Sequence, residues 1–414
     1  MTKTSLEQRG FIARKNWCVV VLVFLAYPVM AHAGGLGIAA IVGLGGILGF
    51  IGWRPPHPRD VPKAIPAAIW AVMALLAWGM VSTLWSPYRS GDVLNNAQKM
   101  FFGLPLYLAF AVTLVSQSKF SISHFQHLQH LLIGMTFIWS VVVLMDVLSG
   151  YGVTRLIDPL AVGEDMEAKW GDMIQNLGHA VSVLTLLFVP VSVLLWLKGG
   201  AGKFAALALF ALVLSSAIFA DMNSRFIALV VLVPLFGLAI YWPRFAVRGA
   251  FFAAAASIFF APVLGYVASK VTSEWRSQLP FSWEERVENW AYMYDKILQK
   301  PWFGHGFDAV RTFTDTHTIR GFEGRALVSL HPHNAGLQIW GELGLVGAVL
   351  ACLALFFAQK RLTEQGVLAK PQLVALAGLT VSVTVIAGIT YGVWQDWWWA
   401  TVIFSAALIS FVRK

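Results

Sequence analysis

Long apolar blocks alternate with short polar stretches along this chain. Twelve such blocks stand out, near residues 17–33, 36–53, 66–84, 100–115, 131–148, 177–197, 204–220, 226–242, 249–268, 335–358, 372–391 and 395–411. Each approaches the ~20 mostly apolar residues that a membrane-crossing helix needs. The pattern predicts an all-α integral membrane protein with about twelve transmembrane helices, forming a single polytopic domain over 1–414. Several blocks are short or contain Gly and Pro, so eleven or thirteen spans fit the pattern as well.

Polar positions are unevenly spread. Most connections are short, but 149–175 and 269–332 are long. Long loops that stay ordered are usually functional. The second holds Trp275, Trp283, Trp290, Tyr292, Tyr294, Trp302 and Phe303, more aromatic surface than a disordered linker keeps. Within it Ser282 to Glu285 reads as a capping box. Val287, Trp290, Ala291, Tyr294, Ile297 and Leu298 then follow at helical spacing, and Pro301 with Gly304-His305-Gly306 ends the run. A largely helical loop lying along the bundle is the expectation. Arg286 falls near the start of this helix, where a cation opposes the helix dipole. A solvated pair with Glu285 or Glu288 and a functional role are both open for it.

Composition excludes a soluble domain: 58% of residues are hydrophobic, 12% charged, and the mean hydropathy is +0.69. Charge sets the orientation. With the N-terminus in the cytoplasm, alternating loops place 17 basic and three acidic residues inside, Arg54, Arg59, Lys63 and Lys119 among the basic ones and Asp60 among the acidic, and 13 basic and 18 acidic outside. That gives +14 inside and −5 outside, as the positive-inside rule requires. The net charge of +9 therefore reflects topology, and nucleic acid is not an expected partner. Residues 9–33, ending Ala31-His32-Ala33, also resemble a signal peptide; an uncleaved first span is the expectation. Cys18 and Cys352 lie in apolar blocks, so neither a disulfide framework nor thiol catalysis is implied.

Ionisable residues near span ends mark candidate chemistry, because charge near hydrocarbon is costly. They are Lys99, Asp221, Arg225, Glu342 and Asp396, with all but Glu342 toward the outer face. His333 follows Pro332 and precedes a span beginning at about Asn334. A helix N-terminus favours the neutral imidazole, which can serve as a general base. Asn334, Gln338 and Glu342 recur every four residues as one polar stripe. Glu342 lies ~13 Å along the helix from His333, on the other side, from a 1.5 Å rise and 100° per residue; it cannot orient that ring. Gly341, Gly344 and Gly347 are expected to admit a neighbouring helix. A cap or interface histidine, or a metal site built from His305, His317, His331 and His333, are the other readings of the histidines. An outward-facing base among arginines suits a lipid-linked diphosphate donor, since guanidinium forks match phosphate oxygens.

At these residues the chain resembles the O-antigen ligase family, related to the O-antigen polymerases. The shared motif is His, then Asn, Ser or Gln, nine residues, Gly, two residues and Gly, here His333, Asn334, Gly344 and Gly347. Arg286 with Trp290 four residues later, "NSRF" containing Arg225, and "PWFGHGF" at 301–307 are similar too. The resemblance runs over roughly 60–410. It implies a GT-C-like, inverting glycosyltransferase, without metal or cofactor, in a bacterial inner membrane, with both termini cytoplasmic and a periplasmic active site partly carried by 269–332. The implied reaction moves O-antigen from undecaprenyl diphosphate to a lipid A-core sugar, with membrane lipids as surroundings. His333 would be the base, with Arg225, Arg286 and Lys99 on the diphosphate, and Asn334, Asp396 and Trp394 in support; Lys99, Asp396 and Trp394 rest on looser motifs. A protein O-oligosaccharyltransferase usually has a longer C-terminal region. Two alternatives stay open: a polymerase of the same superfamily, and an anion or lipid transporter.

Overall fold

A computed structural model describes residues 3–52, 66–91, 95–117, 122–157 and 166–413. Arg54, Arg59, Asp60, Lys63 and Lys119, used above to orient the chain, lie outside these residues, as does 158–165 of the first long loop. The apolar blocks are helices throughout: α1 (Lys3–His32), α2 (Leu36–Phe50), α3 (Ala67–Ser82), α4 (Asn96–Gln117), α5 (Ile122–Leu148), the short α6 (Gly152–Ile157), α7 (Met166–Leu197), α8 (Gly200–Phe219), α9 (Asn223–Tyr241) and α10 (Pro243–Phe259). Then come α11 (Ala261–Ser269), α12 (Ser273–Arg276), α13 (Phe281–Gln299), α14 (Ala335–Leu362), α15 (Lys370–Ile389) and α16 (Asp396–Leu408).

Among the described residues eight helices are long and apolar enough to cross a membrane, or nine if α10 and α11, bent by 54° at Phe260, count as one span. Three shorter apolar helices, Leu36–Phe50, Ala67–Ser82 and Asp396–Phe411, account for the rest of the blocks. The protein is thus an all-α integral membrane protein, with eight or nine spans by length where the pattern predicts about twelve. In α7, 83% of the span window is buried. A helix apolar on every side belongs in the middle of a bundle, and α7 has that place. Lipid-facing apolar residues remain exposed, among them Phe204, Phe252 and Val233.

The long segment before α14 departs from expectation in three ways. It is not wholly helical: β1 (Thr316–Ile319) and β2 (Phe322–Ala326) form an antiparallel hairpin, turning at Arg320 (φ 49°) and Gly321 (φ 85°), the left-handed pair that tight hairpins use. The capping box does not form. Pro280 precedes the first turn of α13, and Glu284 is buried against Arg320 Nε at 2.6 Å. The buried face is also rotated: Trp290, Met293 and Ile297 are covered while Leu298 is exposed.

α14 is broken at Gly344 (φ 65°, ψ −162°), and segment 301–306 fills the break. His305 N and Gly306 N donate to the carbonyls of Gly341 (2.9 Å) and Glu342 (2.8 Å), and Trp78 Nε1 to that of Leu343 (3.1 Å). On the other side Leu345 N and Val346 N donate to the carbonyls of Pro301 (2.9 Å) and Trp302 (3.3 Å). Each of these buried groups would cost about 1–3 kcal/mol if left unpaired. The break and the "PWFGHGF" segment therefore exist only together. The reading of the glycines holds at Gly341, which admits Met293 of the neighbouring helix α13, and is corrected at Gly344, which admits a loop rather than a helix.

Candidate functional site

α15 ends against the start of α14, and its last residues organise the site. A helix C-terminus leaves carbonyls without intrahelical partners. Here successive residues hand theirs to the sequence-predicted side chains. Asn334 Nδ2 donates to Gly388 O (3.0 Å), Arg286 Nε to Ile389 O (3.1 Å), and His333 Nδ1 to Thr390 O (2.7 Å). Thr390 Oγ1 donates to Ser224 Oγ (2.6 Å), which also accepts from Arg225 Nη1 (3.1 Å). Arg225 completes its set with Ser182 Oγ (2.6 Å), Gly178 O (3.0 Å) and the Tyr391 hydroxyl. Four consecutive residues, 388–391, thus reach Asn334, Arg286, His333 and Arg225. Sequence reasoning missed this segment, whose contribution is mostly main chain.

A carbonyl only accepts, so the proton of a neutral His333 lies on Nδ1 and Nε2 keeps its lone pair. Burial, and then the charge of Arg286, hold the imidazole pKa below its usual value, against the Thr390 bond and Glu285, which raise it. His333 has φ 52°, a left-handed conformation uncommon for a residue with a side chain. Its N–H donates to Nδ1 of His331 (3.3 Å), and the two rings meet edge to face at 4.5 Å. At His331, half-buried, desolvation and then the charges of His333, Arg311 and Arg286 push the pKa down to about 3. It stays neutral and remains an acceptor.

Arg286 is half-buried, over the Trp283 ring at 5.6 Å. Its neighbouring carboxylates are taken: Glu285 by Arg325, and Glu288 by Arg276 and His317. Burial and the charge of Arg225 both push the guanidinium pKa down. Two arginines within electrostatic reach, with the nearby acids engaged elsewhere, make a place for an anion. The spacing of Arg286 and Trp290 also has a cause. One turn apart on α13, the arginine reaches Ile389 and Trp290 Nε1 reaches the Pro332 carbonyl (3.1 Å), so a single helical face holds both strands of the site.

Asn334 caps α14, its Oδ1 accepting from Leu337 N at 2.8 Å. The polar stripe continues as expected from its spacing: Gln338 Oε1 accepts from Val393 N (2.9 Å), and Glu342 accepts from Gln338 and from Trp394 Nε1. Replacing Asn334 by alanine removes a cap and the bond to Gly388, and should cost about 2 kcal/mol of stability, read as a lowered melting point in detergent.

The other predicted residues do not join this cluster. Trp394 is buried on Glu342 and stacks with Phe307 at 4.5 Å. Asp396 starts α16 and accepts from Trp397 N (2.7 Å). Lys99 acts on Asp308, near the start of α4. His305 bonds the Lys296 carbonyl and His317 pairs with Glu288, so the four loop histidines do not converge. No group of three or more His, Cys, Asp or Glu side chains suited to a metal occurs among the described residues.

Comparison with known proteins meets this geometry. Residues 186–352 match the family model described as O-antigen ligase, a stretch that includes Arg225, Arg286, His333, Asn334, Gly344 and Gly347. These findings support assignment to the O-antigen ligase family. Two proteins named "Putative polysaccharide ligase" are similar to the chain. That of Rickettsia bellii is 30% identical over 164 residues, 38% of this chain and 39% of its own. That of Rickettsia typhi is 31% identical over 134 residues, 31% of this chain and 32% of its own. The chain therefore spans less than two-fifths of the length of these curated relatives. The motif of His333 to Gly347 that the chain shares with the O-antigen ligase family acquires a physical meaning here: its first half sets the His333 imidazole against Thr390, and its first glycine sets the break in α14.

Proposed function

We propose that the protein is an O-antigen ligase, transferring O-antigen from undecaprenyl diphosphate to a sugar hydroxyl of lipid A-core on the periplasmic face of the inner membrane. The observation that carries this reading is the seating of His333 and Arg286 on consecutive carbonyls, Thr390 and Ile389, with Arg225 tied in through Ser224. His333 Nε2 takes the proton of the acceptor hydroxyl. The acceptor oxygen bonds to the anomeric carbon as the bond from that carbon to the phosphate oxygen breaks, and the diphosphate leaves with the electron pair. Attack opposite the leaving group inverts the anomeric centre. Arg286 and the remaining Nη1 proton of Arg225 stabilise the charge that develops on the diphosphate, with Lys99 adding positive potential from the α4 side.

A second feature favours a lipid-linked donor. An apolar cleft of about 320 Å³, walled by Ile227, Phe260, Leu264 and Val385, has Asn334 and Ile389 in its lining. A prenyl chain seated there would bring its phosphates to the residues that hold Arg286 and His333. Asn334 thus belongs to the base's support, while Trp394, held by Glu342, and Asp396, at the start of α16, stay outside this cleft and take no part in the proposed step.

The test is a transfer assay with purified protein, lipid-linked O-antigen and lipid A-core. Glycan attached to core is expected, and Arg286→Ala should lower kcat by about 10²–10³-fold. Longer lipid-linked chains with no transfer to core would establish a polymerase instead. Absence of any transfer, with gradient-driven flux of the lipid, would replace the enzyme by a transporter.

A further inference from the structure

A second cleft of about 320 Å³ opens between the start of α4 and the turn at 307–308. Its lining includes Tyr88, Arg89, Asn95, Gln98, Phe307 and Asp308, and the reaction proposed above uses none of them; Arg89 Nη1 donates to the carbonyls of Ser86 (2.5 Å) and Tyr88 (3.1 Å). Asn95 and Gln98 form a reciprocal cap: Asn95 Oδ1 accepts from Gln98 N and Gln98 Oε1 from Asn95 N, both at 2.9 Å. The cap uses the oxygen of each amide, so what either side chain can offer the cleft is its NH₂.

Asp308 is buried and has φ 59°, a strained conformation for a residue other than glycine. Its carboxylate takes Asn96 Nδ2 (2.7 Å) and Arg311 Nε (3.3 Å). Two donors leave part of its acceptor capacity unused, since a carboxylate has about four lone-pair sites. The Arg311 guanidinium lies 5.8 Å above the Tyr88 ring and steadies it.

Amide donors, a carboxylate acceptor and an aromatic face together suit a molecule dense in hydroxyls with one apolar side. A phosphate would meet the Asp308 carboxylate, with Arg89 Nη1 already turned to the carbonyls of Ser86 and Tyr88, and a hydrocarbon tail would strand the amide donors. Electrostatics link the cleft to the proposed site: Arg311, which bonds Asp308 at 3.3 Å, also acts on His331, the neighbour of His333, and Lys99 acts on Asp308. We propose that this cleft is a saccharide-binding subsite, in which the amides of Asn95 and Gln98, the Asp308 carboxylate and the Tyr88 ring hold one sugar of a carbohydrate substrate. The assignment of that sugar to donor or acceptor rests on the ligase reading; the subsite itself does not.

Saturation-transfer NMR on the full chain in detergent tests it with two probes: core oligosaccharide released from lipopolysaccharide by mild acid, and a free O-antigen repeat oligosaccharide. Gln98→Glu keeps the capping oxygen and replaces the NH₂ by an acceptor, so α4 stays capped; Tyr88→Ala removes the stacking face. One probe should be saturated by the wild type, and each variant should weaken its Kd by about tenfold. Weakening confined to the core probe marks an acceptor subsite; weakening confined to the repeat marks a donor subsite. Saturation of neither probe by the wild type, or wild-type affinity in both variants, overturns the proposal. A wild type that binds sugar through these residues yet transfers no glycan to core defeats the ligase reading and leaves the subsite standing.

Discussion

Replacing His333 by asparagine should abolish glycan transfer, by about 10²–10⁴-fold, without unfolding the bundle. Asparagine is chosen because it tolerates the left-handed conformation that residue 333 adopts. Its amide can still donate toward Thr390, but no basic nitrogen remains to accept a proton. Unaltered capping of lipid A-core in a strain carrying only this variant would remove His333 from the chemistry. The pH profile gives the sign. The neutral ring is the active form, so activity is full above the pKa of the folded protein and is lost as pH falls through it. That pKa lies below the ordinary value of 6.5, because burial and Arg286 both disfavour the charged ring. In Arg286→Gln one of these causes disappears, and the acidic limb of whatever activity remains should move to higher pH. A limb that stays in place would show that Arg286 does not act on this imidazole.

Gly344→Ala should produce the largest loss of stability of any single methyl group in α14. With φ 65° and ψ −162° the backbone lies in a region that is essentially glycine-only, which alone costs about 1–3 kcal/mol for a residue with a Cβ. A Cβ there would also sit 2.6 Å from Gly304 N, inside the set of bonds that closes the break. Relief would require moving segment 301–306, so a total of about 3 kcal/mol or more is expected. Gly237→Ala is the matched control: no atom lies within 4 Å of its added Cβ, and helix propensity predicts a gain of up to about 1 kcal/mol. Thermal melting followed by the monodisperse fraction in detergent separates the two. Equal melting points would mean that the break at Gly344 is not obligatory.

What could be read from the chain follows from where each signal resides. Spans were legible because hydrocarbon demands long apolar runs, and every block is a helix. The hairpin was not, because Thr316–Ile319 and Phe322–Ala326 show no alternation of apolar and polar residues: β2 is exposed throughout. Ser282 has the right partner spacing for a cap, yet α13 already starts at Phe281 with Pro280 before it, and tertiary pairing of Glu285 with Arg325 prevails over the local motif. Arg286, His333 and Asn334 were recognisable as side chains with unusual placement. Their shared anchor was not, since a carbonyl group is common to every residue and leaves no mark in a sequence. The role of Gly344 was hidden for a related reason. A glycine that lets a helix approach and one that lets a helix stop look identical until φ is known.

The matched stretch ends at residue 352, 36 positions short of Gly388. It contains both arginines and the imidazole but not the main-chain oxygens that aim two of them. A fragment ending there would carry every group proposed to react, without the carbonyls that orient two of them. On the proposed reading the centre acquires its shape in the growing polypeptide only when α15, the last of the long helices, arrives, so a chain caught part-way through insertion carries its chemistry unassembled.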